Sequence, residues 1–390
     1  MGAASAGLTG AGSRLTWIDV AKALGIVLVF HGHLMEHFGD LVGSIAICQR
    51  RWIYSFHMPL FFLLSGLVYK ERNLGLAGFA WRQVRSRLIP VWAFNLLSML
   101  IYLAGHLATA PNASAARGLL AAIGDYAIRF ARQTLEGRPQ FNILLWFVVC
   151  LCVVETWQYL LARRLRSSKA LGLSIAFFVA LTLLTTYARE ALVELYGDYI
   201  HWWHLSAAVS AMVFYQLGIL VSRFGWFTRS RPAALHCILA AAALAITLAS
   251  FNRNEVPGSQ FVLVKDAFYG NVAWFFLTSL AGCLLIISLG RLLAFSRILT
   301  YVGQVTMPLM CLNGMMDAFL NPPLARAVIG RLSGSAPTGL ISAGILCTLL
   351  SVVACLPVCW LLNRYTPFLL GRAASVRPVP GGISGAPVRT

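Results

Sequence analysis

The chain has 390 residues, of which 59% are hydrophobic and only 11% charged, with a formal net charge of +18. A soluble domain carries about 25% charged residues, so the deficit is too large for one big soluble core. The net charge alone would suit a nucleic-acid partner. The apolar residues, however, fall in blocks of membrane-spanning length, so the placement of the charges matters more than their sum.

Met1 to Thr16 is small and polar with a single Arg14. It lacks the ordered positive head, apolar middle and cleavage site of a removable signal, so the apolar stretch from Trp17 reads as a retained first span. Ten spans are predicted: Trp17–Met35, Ile53–Tyr69, Leu88–Leu107, Phe141–Ala162, Ala170–Ala188, His201–Val221, Ala233–Phe251, Asn271–Leu289, Leu299–Phe319 and Thr338–Leu362. The Pro-, Gly- and Arg-rich end is predicted to be disordered. The expected division is a tail at 1–16, a transmembrane domain at 17–364 and a second tail at 365–390. No internal repeat is evident. The nine cysteines are scattered without a CxxC pair and read as small buried hydrophobes.

With the N-terminus placed in the cytoplasm, the inner loops hold Arg14, Lys70, Arg72, Arg82, Arg85, Arg87, Arg163, Arg164, Arg166, Lys169, Arg223, Arg229, Arg231, Arg291, Arg297 and the tail arginines, with Glu71 as their one acid. The outer loops hold Glu36, Asp40, Asp125, Glu136, Glu190, Glu194, Asp198, Glu255 and Asp266, with fewer bases. Every inner loop follows the positive-inside pattern. The expectation is an all-α polytopic protein of the cell's inner (plasma) membrane, both termini cytoplasmic, drawn to anionic lipid and not to nucleic acid. The long outer segment Ala108–Gln140 is predicted to carry an amphipathic helix around Ala115–Thr134. Its Asn112-Ala113-Ser114 matches a glycosylation sequon, which carries no weight without a secretory-pathway host.

Ionisable groups inside a bilayer cost roughly 2.5–3.5 kcal/mol each, so each is a functional candidate. The first span holds Asp19, Lys22, His31 and His33. At about 100° per residue, Lys22 and His33 differ by only about 20° in direction, whereas His31 lies about 180° from Lys22. Asp19, Lys22 and His33 therefore share a stripe, with His33 about 16 Å further toward the outer surface. Glu36 and His37 follow within a turn and can orient it. The bland alternatives are an interfacial histidine held by water and an Asp19–Lys22 pair at i,i+3. The second span enters from outside through His57-Met58-Pro59, placing His57 at the level of His33, which suggests a shared polar pocket. Ser65 and Gly66 suit close helix packing. Glu155 lies deep in the fourth span and Asn313 in the outer half of the ninth. Trp202 and Trp203 fit an interfacial belt.

These residues resemble the membrane-bound acyltransferase-3 family, of the fucose 4-O-acetylase type. The resemblance rests on Trp17-Ile18-Asp19, Lys22-Ala23-Leu24-Gly25-Ile26, Gly32-His33, Phe56-His57-Met58-Pro59-Leu60-Phe61-Phe62 and Ser65-Gly66. Arg87-Leu88-Ile89-Pro90, Leu145-Trp146-Phe147, Tyr215-Gln216-Leu217-Gly218 and Gly303-Gln304-Val305-Thr306 extend it along most of the chain. It implies a ten-span core that moves an acyl group, usually acetyl, from cytoplasmic acyl-CoA to a hydroxyl of an extracytoplasmic or lipid-linked sugar, with no metal. The family's basic residue and histidine fall on Lys22 and His33. Many members carry a histidine late in the ninth span, where this chain has Asn313.

The expected mechanism has the phosphates of acetyl-CoA on Arg82, Arg85 and Arg87, all of which also fit plain positive-inside charges. Its arm passes Lys22 toward His33, the general base. His57 holds the carbonyl or orients the acceptor, Asp19 fixes Lys22, and Ser65, Asn313 and Trp146 line the substrate path. An acyl-histidine intermediate stays open; Ser65 as nucleophile lacks a strained turn. The expected determinants of the sugar are Ala108–Gln140 and Tyr199–His204. Two rivals remain: a transporter or polysaccharide exporter with no covalent chemistry, and a non-catalytic partner in envelope synthesis.

Overall fold

A computed structural model describes residues 15–109, 116–225, 231–256, 259–332 and 337–371. The first fourteen residues, the sequon at Asn112 and the tail beyond 371 lie outside the described residues. Those described are helical, with only two isolated bridges, Val256 to Ser259 and Leu263 to Phe268.

The helices in order are α1 (Thr16–Val42), α2 (Ser44–Tyr54), α3 (His57–Leu67), α4 (Leu76–Gln83), α5 (Ile89–Thr109), α6 (Ala116–Glu136), α7 (Trp146–Leu161) and α8 (Ser168–Tyr187). They continue as α9 (Arg189–Tyr196), α10 (Leu205–Arg223), α11 (Ala233–Ser250), α12 (Val272–Leu292), α13 (Arg297–Gln304), α14 (Thr306–Met315), α15 (Asn321–Leu332) and α16 (Pro337–Tyr365). Among the described residues, eight helical stretches are long and apolar enough to cross a membrane. They fall on eight of the ten predicted spans. Backbone groups in lipid must be satisfied within the segment, so an apolar run of sufficient length folds as one helix.

The second and ninth predicted spans differ: the ninth is built in two pieces, and the second is the short α3 led in by α2, which lies almost wholly in the predicted outer loop. The second breaks at Ser55 and Phe56 between α2 and α3, and the ninth breaks at Val305 between α13 and α14. The cause is proline. Pro59 and Pro308 each occupy the third position of the second piece, where the ring lacks an N–H and crowds the carbonyl four residues back. The Ser55 carbonyl freed in this way accepts the hydroxyl of Ser279 on α12 at 2.6 Å. Both second pieces open with the same Met-Pro-Leu sequence, 58–60 and 307–309.

α1 runs through the middle of the bundle, packed by α2, α3, α12, α13, α14, α15 and α16. α8, α11 and α16 form the rim and turn side chains such as Leu173, Phe177, Ile238, Leu248, Leu346 and Val353 outward. Lipid tails are as apolar as these side chains, so close packing and polar contacts must hold the interior together. α3 and α10 cross on glycines. A Cβ on Gly66 would lie 1.9 Å from the Tyr215 carbonyl oxygen, and one on Gly218 2.2 Å from that of Leu63. Both obstacles are backbone and cannot step aside. Gly66→Ala is expected to destabilise by about 1–3 kcal/mol. Gly75→Ala, which faces open space, is expected to change nothing. Thermal unfolding in detergent compares them, and equal midpoints would contradict the packing argument.

Candidate active site

The long α1 and the half-helix α3 bring His33 and His57 to one end of the bundle, where both line a cavity of about 370 Å³. The Tyr54 ring lies between them, with centroids 5.8 Å from His33 and 4.8 Å from His57. Trp146, Met58, Arg50, Asp317 and the loop at 261–266 complete the walls. None of the described residues of the two segments expected to select the sugar, 108–140 and 199–204, is in this lining. The predicted amphipathic helix does form, as α6, but it packs against α5 instead. Trp203 donates its indole N–H to the Leu135 carbonyl at 3.0 Å.

His33 meets its neighbours through one nitrogen. Nδ1 lies 3.3 Å from the Tyr54 hydroxyl, 3.7 Å from Glu36 Oε2 and 3.7 Å from Asp317 Oδ2. The carboxylate distances exceed a hydrogen bond, but such contacts tighten when substrate binds. Both carboxylates are held from behind. His37 Nε2 sits 3.0 Å from Asp317 Oδ1, and Arg50 Nη2 sits 2.7 Å from Glu36 Oε2. The Arg50 guanidinium lies 3.9 Å over the Phe261 ring, which fixes it by a cation–π contact. Asp317 belongs to a π-helical turn, Met316–Leu320, that continues α14, a geometry often found at functional sites.

His57 Nδ1 donates to the Ile53 carbonyl at 2.9 Å. A carbonyl only accepts, so the neutral ring carries its lone pair on Nε2. His31 has both nitrogens occupied, by Thr348 Oγ1 at 2.8 Å and Gln49 Oε1 at 2.9 Å, and lies outside the cavity lining. His33, Glu36 and Asp317 offer three ligand atoms within 4.8 Å of one another, so this corner can also hold a divalent cation.

At the other end, Lys22, Ser65, Arg82 and Arg87 line a second cavity of about 410 Å³. It shares Tyr69, Lys70, Arg72, Arg82, Glu155 and Tyr215 with a wider vestibule of about 980 Å³ that adds Arg163, Arg166 and Arg223. Arg85 lines neither. Arg87 is bound two-fold to Glu155, through Nη2–Oε1 at 2.6 Å and Nε–Oε2 at 3.1 Å, so its fork is taken. The Ser65 hydroxyl donates to the Phe61 carbonyl at 2.7 Å. Asp19 is buried where α13 presses Gly303 against its carbonyl. Asn313 is fully buried, neither of its amide atoms has a hydrogen-bond partner, and it is not in the lining of these cavities.

Fold and site thus define a multi-pass membrane protein with a histidine–carboxylate cluster at one end of the bundle and a basic vestibule at the other. The model of the acyltransferase-3 family, described as an acyltransferase domain, matches residues 15–364. The chain belongs to that family and is a membrane acyltransferase. No curated protein and no solved structure matches it.

Sequence reasoning missed Arg50, Tyr54 and Asp317. Two of them carried a signal. Arg50 is an arginine on the side of the chain that the positive-inside pattern leaves poor in bases, so topology does not explain it. Asp317 is an acid within a predicted span. Tyr54 carried none.

Proposed function

We propose that this protein moves an acyl group, acetyl, from acyl-CoA at the basic end to a sugar hydroxyl at the histidine end. The basic end faces the cytoplasm, both termini lie there, and the membrane is the cell's inner one. The observation that carries this reading is the pair of cavities at opposite ends of the same helices, one rich in Lys and Arg and the other holding His33 with its carboxylates.

Lys70, Arg72 and Arg82 bind the donor's phosphates by charge-assisted hydrogen bonds. Arg87 holds Glu155 instead. The donor's arm extends past Lys22, which Asp19 orients. His33 takes the proton of the acceptor hydroxyl on Nε2, while Asp317 and Glu36 stabilise the imidazolium through Nδ1–H. The hydroxyl oxygen attacks the thioester carbonyl. The tetrahedral intermediate collapses, the C–S bond breaks, and the thiol leaves with the proton from His33. The products are the O-acyl sugar and free CoA. His57 accepts a hydrogen bond from the sugar through Nε2; with its N–H on Ile53, it has no proton with which to hold the carbonyl. Trp146 packs on the sugar.

Arg50, whose Nε has no hydrogen-bond partner, supplies the positive charge for the oxyanion. Removing one such donor costs about 10²–10³ in kcat, so Arg50→Gln is expected to lose that much with donor affinity unchanged. Unaltered kcat would remove Arg50 from the mechanism.

Membranes supplied with radiolabelled acetyl-CoA test the whole reading. Label on a glycan or lipid hydroxyl is expected with this protein present. A transporter or an assembly partner leaves none.

A further inference from the structure

The two cavities have one residue in common. Met310 lines the cavity of His33 and also the cavity of Lys22. The residues on either side of it come from the same helices. On α3, Met58 lines the histidine cavity and Phe61 the basic one; on α14, Met307 lines the basic one. α7 contributes Trp146 to the first and Phe147 to the second.

The two half-helices run in opposite directions. α3 starts at the histidine cavity with His57, and α14 starts at the basic cavity with Thr306. Their shared Met-Pro-Leu opening puts Phe61 and Met310 at equivalent positions. The two broken helices therefore bring an aromatic and a methionine to the narrow zone between the cavities, from opposite sides.

We infer that Met310 is the movable partition between donor and acceptor cavities and sets the size of acyl group that passes. The inference rests on the acyl-transfer reading. The chemistry of the residue fits: methionine is unbranched, has three rotatable side-chain bonds and fills irregular gaps. Swung one way it closes an apolar barrier against water and ions; swung the other way it admits a thin chain. A β-branched or aromatic residue lacks that freedom. The α14 backbone beneath it is pinned, because Asn142 Nδ2 donates to the Cys311 carbonyl at 2.9 Å, so the side chain must move while the helix stays.

The test has two arms on full-length protein. In proteoliposomes, transfer is measured with acetyl-, butyryl- and hexanoyl-CoA for the parent, Met310→Ala, Met310→Leu and Met310→Trp, with CoA binding measured alongside. Met310→Ala is expected to raise the butyryl-to-acetyl rate ratio about tenfold or more, the usual effect of a methylene or two in a tight site. Met310→Leu keeps the parental ratio, and Met310→Trp abolishes transfer while still binding CoA. In the second arm, the exposed native cysteines Cys48 and Cys237 are first replaced by Ser, and vesicles of each orientation are treated with a membrane-impermeant thiol reagent, with the Ser-replaced parent as the background. Met58→Cys is expected to label from the histidine end only, Met307→Cys from the basic end only, and Met310→Cys from both.

If the parent transfers acetyl, an unchanged ratio in Met310→Ala together with continued transfer in Met310→Trp overturns the partition and leaves acyl transfer standing. If the parent transfers nothing while Met310→Cys labels from both faces, the acyl-transfer reading falls and takes the size selection with it, and only the boundary between the two cavities at Met310 stands. Labelling of Met310→Cys from one face alone overturns the partition in either case.

Discussion

His33→Ala is expected to lower the acyl-transfer rate by about 10²–10⁴-fold, the usual contribution of a positioned general base, with donor binding intact. The expectation comes from geometry. His33 meets Tyr54, Glu36 and Asp317 through Nδ1, which leaves Nε2 as the nitrogen for the proposed proton transfer. His31, two residues away, is the internal control. Its ring bridges Thr348 and Gln49, so His31→Ala removes two hydrogen bonds and no chemistry. Its effect belongs in stability, at about 1 kcal/mol per bond. Turnover of both variants with labelled acetyl-CoA decides the matter. If His33→Ala transfers at the parental rate, or if His31→Ala alone is dead while still folded, the base has been misassigned. Asp317→Asn separates positioning from chemistry: it is expected to reduce kcat while leaving KM for acyl-CoA unchanged.

The second large effect is on stability, at the Arg87–Glu155 pair. Glu155 accepts both prongs of the Arg87 fork and a third hydrogen bond from Gln83 Nε2 at 3.0 Å. Glu155→Ala leaves a guanidinium stranded among helices. Breaking a buried ion pair from one side costs about 3–5 kcal/mol. The lower end is expected here, because the Arg87 side chain remains 24% exposed toward the basic cavity. Replacing both residues by Met and Leu is expected to recover most of the loss, since the two charges then no longer need desolvation. Thermal unfolding in detergent measures all three proteins. A Glu155→Ala midpoint equal to that of the parent would show that water reaches the pair and screens it.

Much of the fold was legible because it depends on local rules. The predicted span Ala170–Ala188 became α8, Ser168–Tyr187, and Asn271–Leu289 became α12, Val272–Leu292. In both, an apolar run long enough for the bilayer has one solution for its backbone. The separation of His33 from His31 was legible for the same reason, since direction on one unbroken helix follows from residue count.

The breaks were not. Pro59 was visible in the entry to the second span, His57-Met58-Pro59. Whether the chain continues straight across or splits there depends on who receives the freed Ser55 carbonyl. The answer, Ser279, is 224 residues away. Arg82, Arg85 and Arg87 looked alike as bases, yet Arg82 lines the cavities, Arg85 does not, and Arg87 is bound to Glu155. Partner choice between helices does not follow from either helix alone.

The sequence by itself determined that this chain lives in a membrane, where eight helices long and apolar enough to cross it lie, which end is basic, and which face of the first helix carries Lys22 and His33. Hydropathy, charge and helical pitch are properties of short stretches, and short stretches can be read in order. Only the tertiary structure decided that His37 backs Asp317 across 280 residues, that Arg50 reaches Glu36, that the His57 N–H is engaged by the Ile53 carbonyl, and that the two cavities share Met310. Those are outcomes of packing, set by which small residues let two helices close and which prolines turn a span aside.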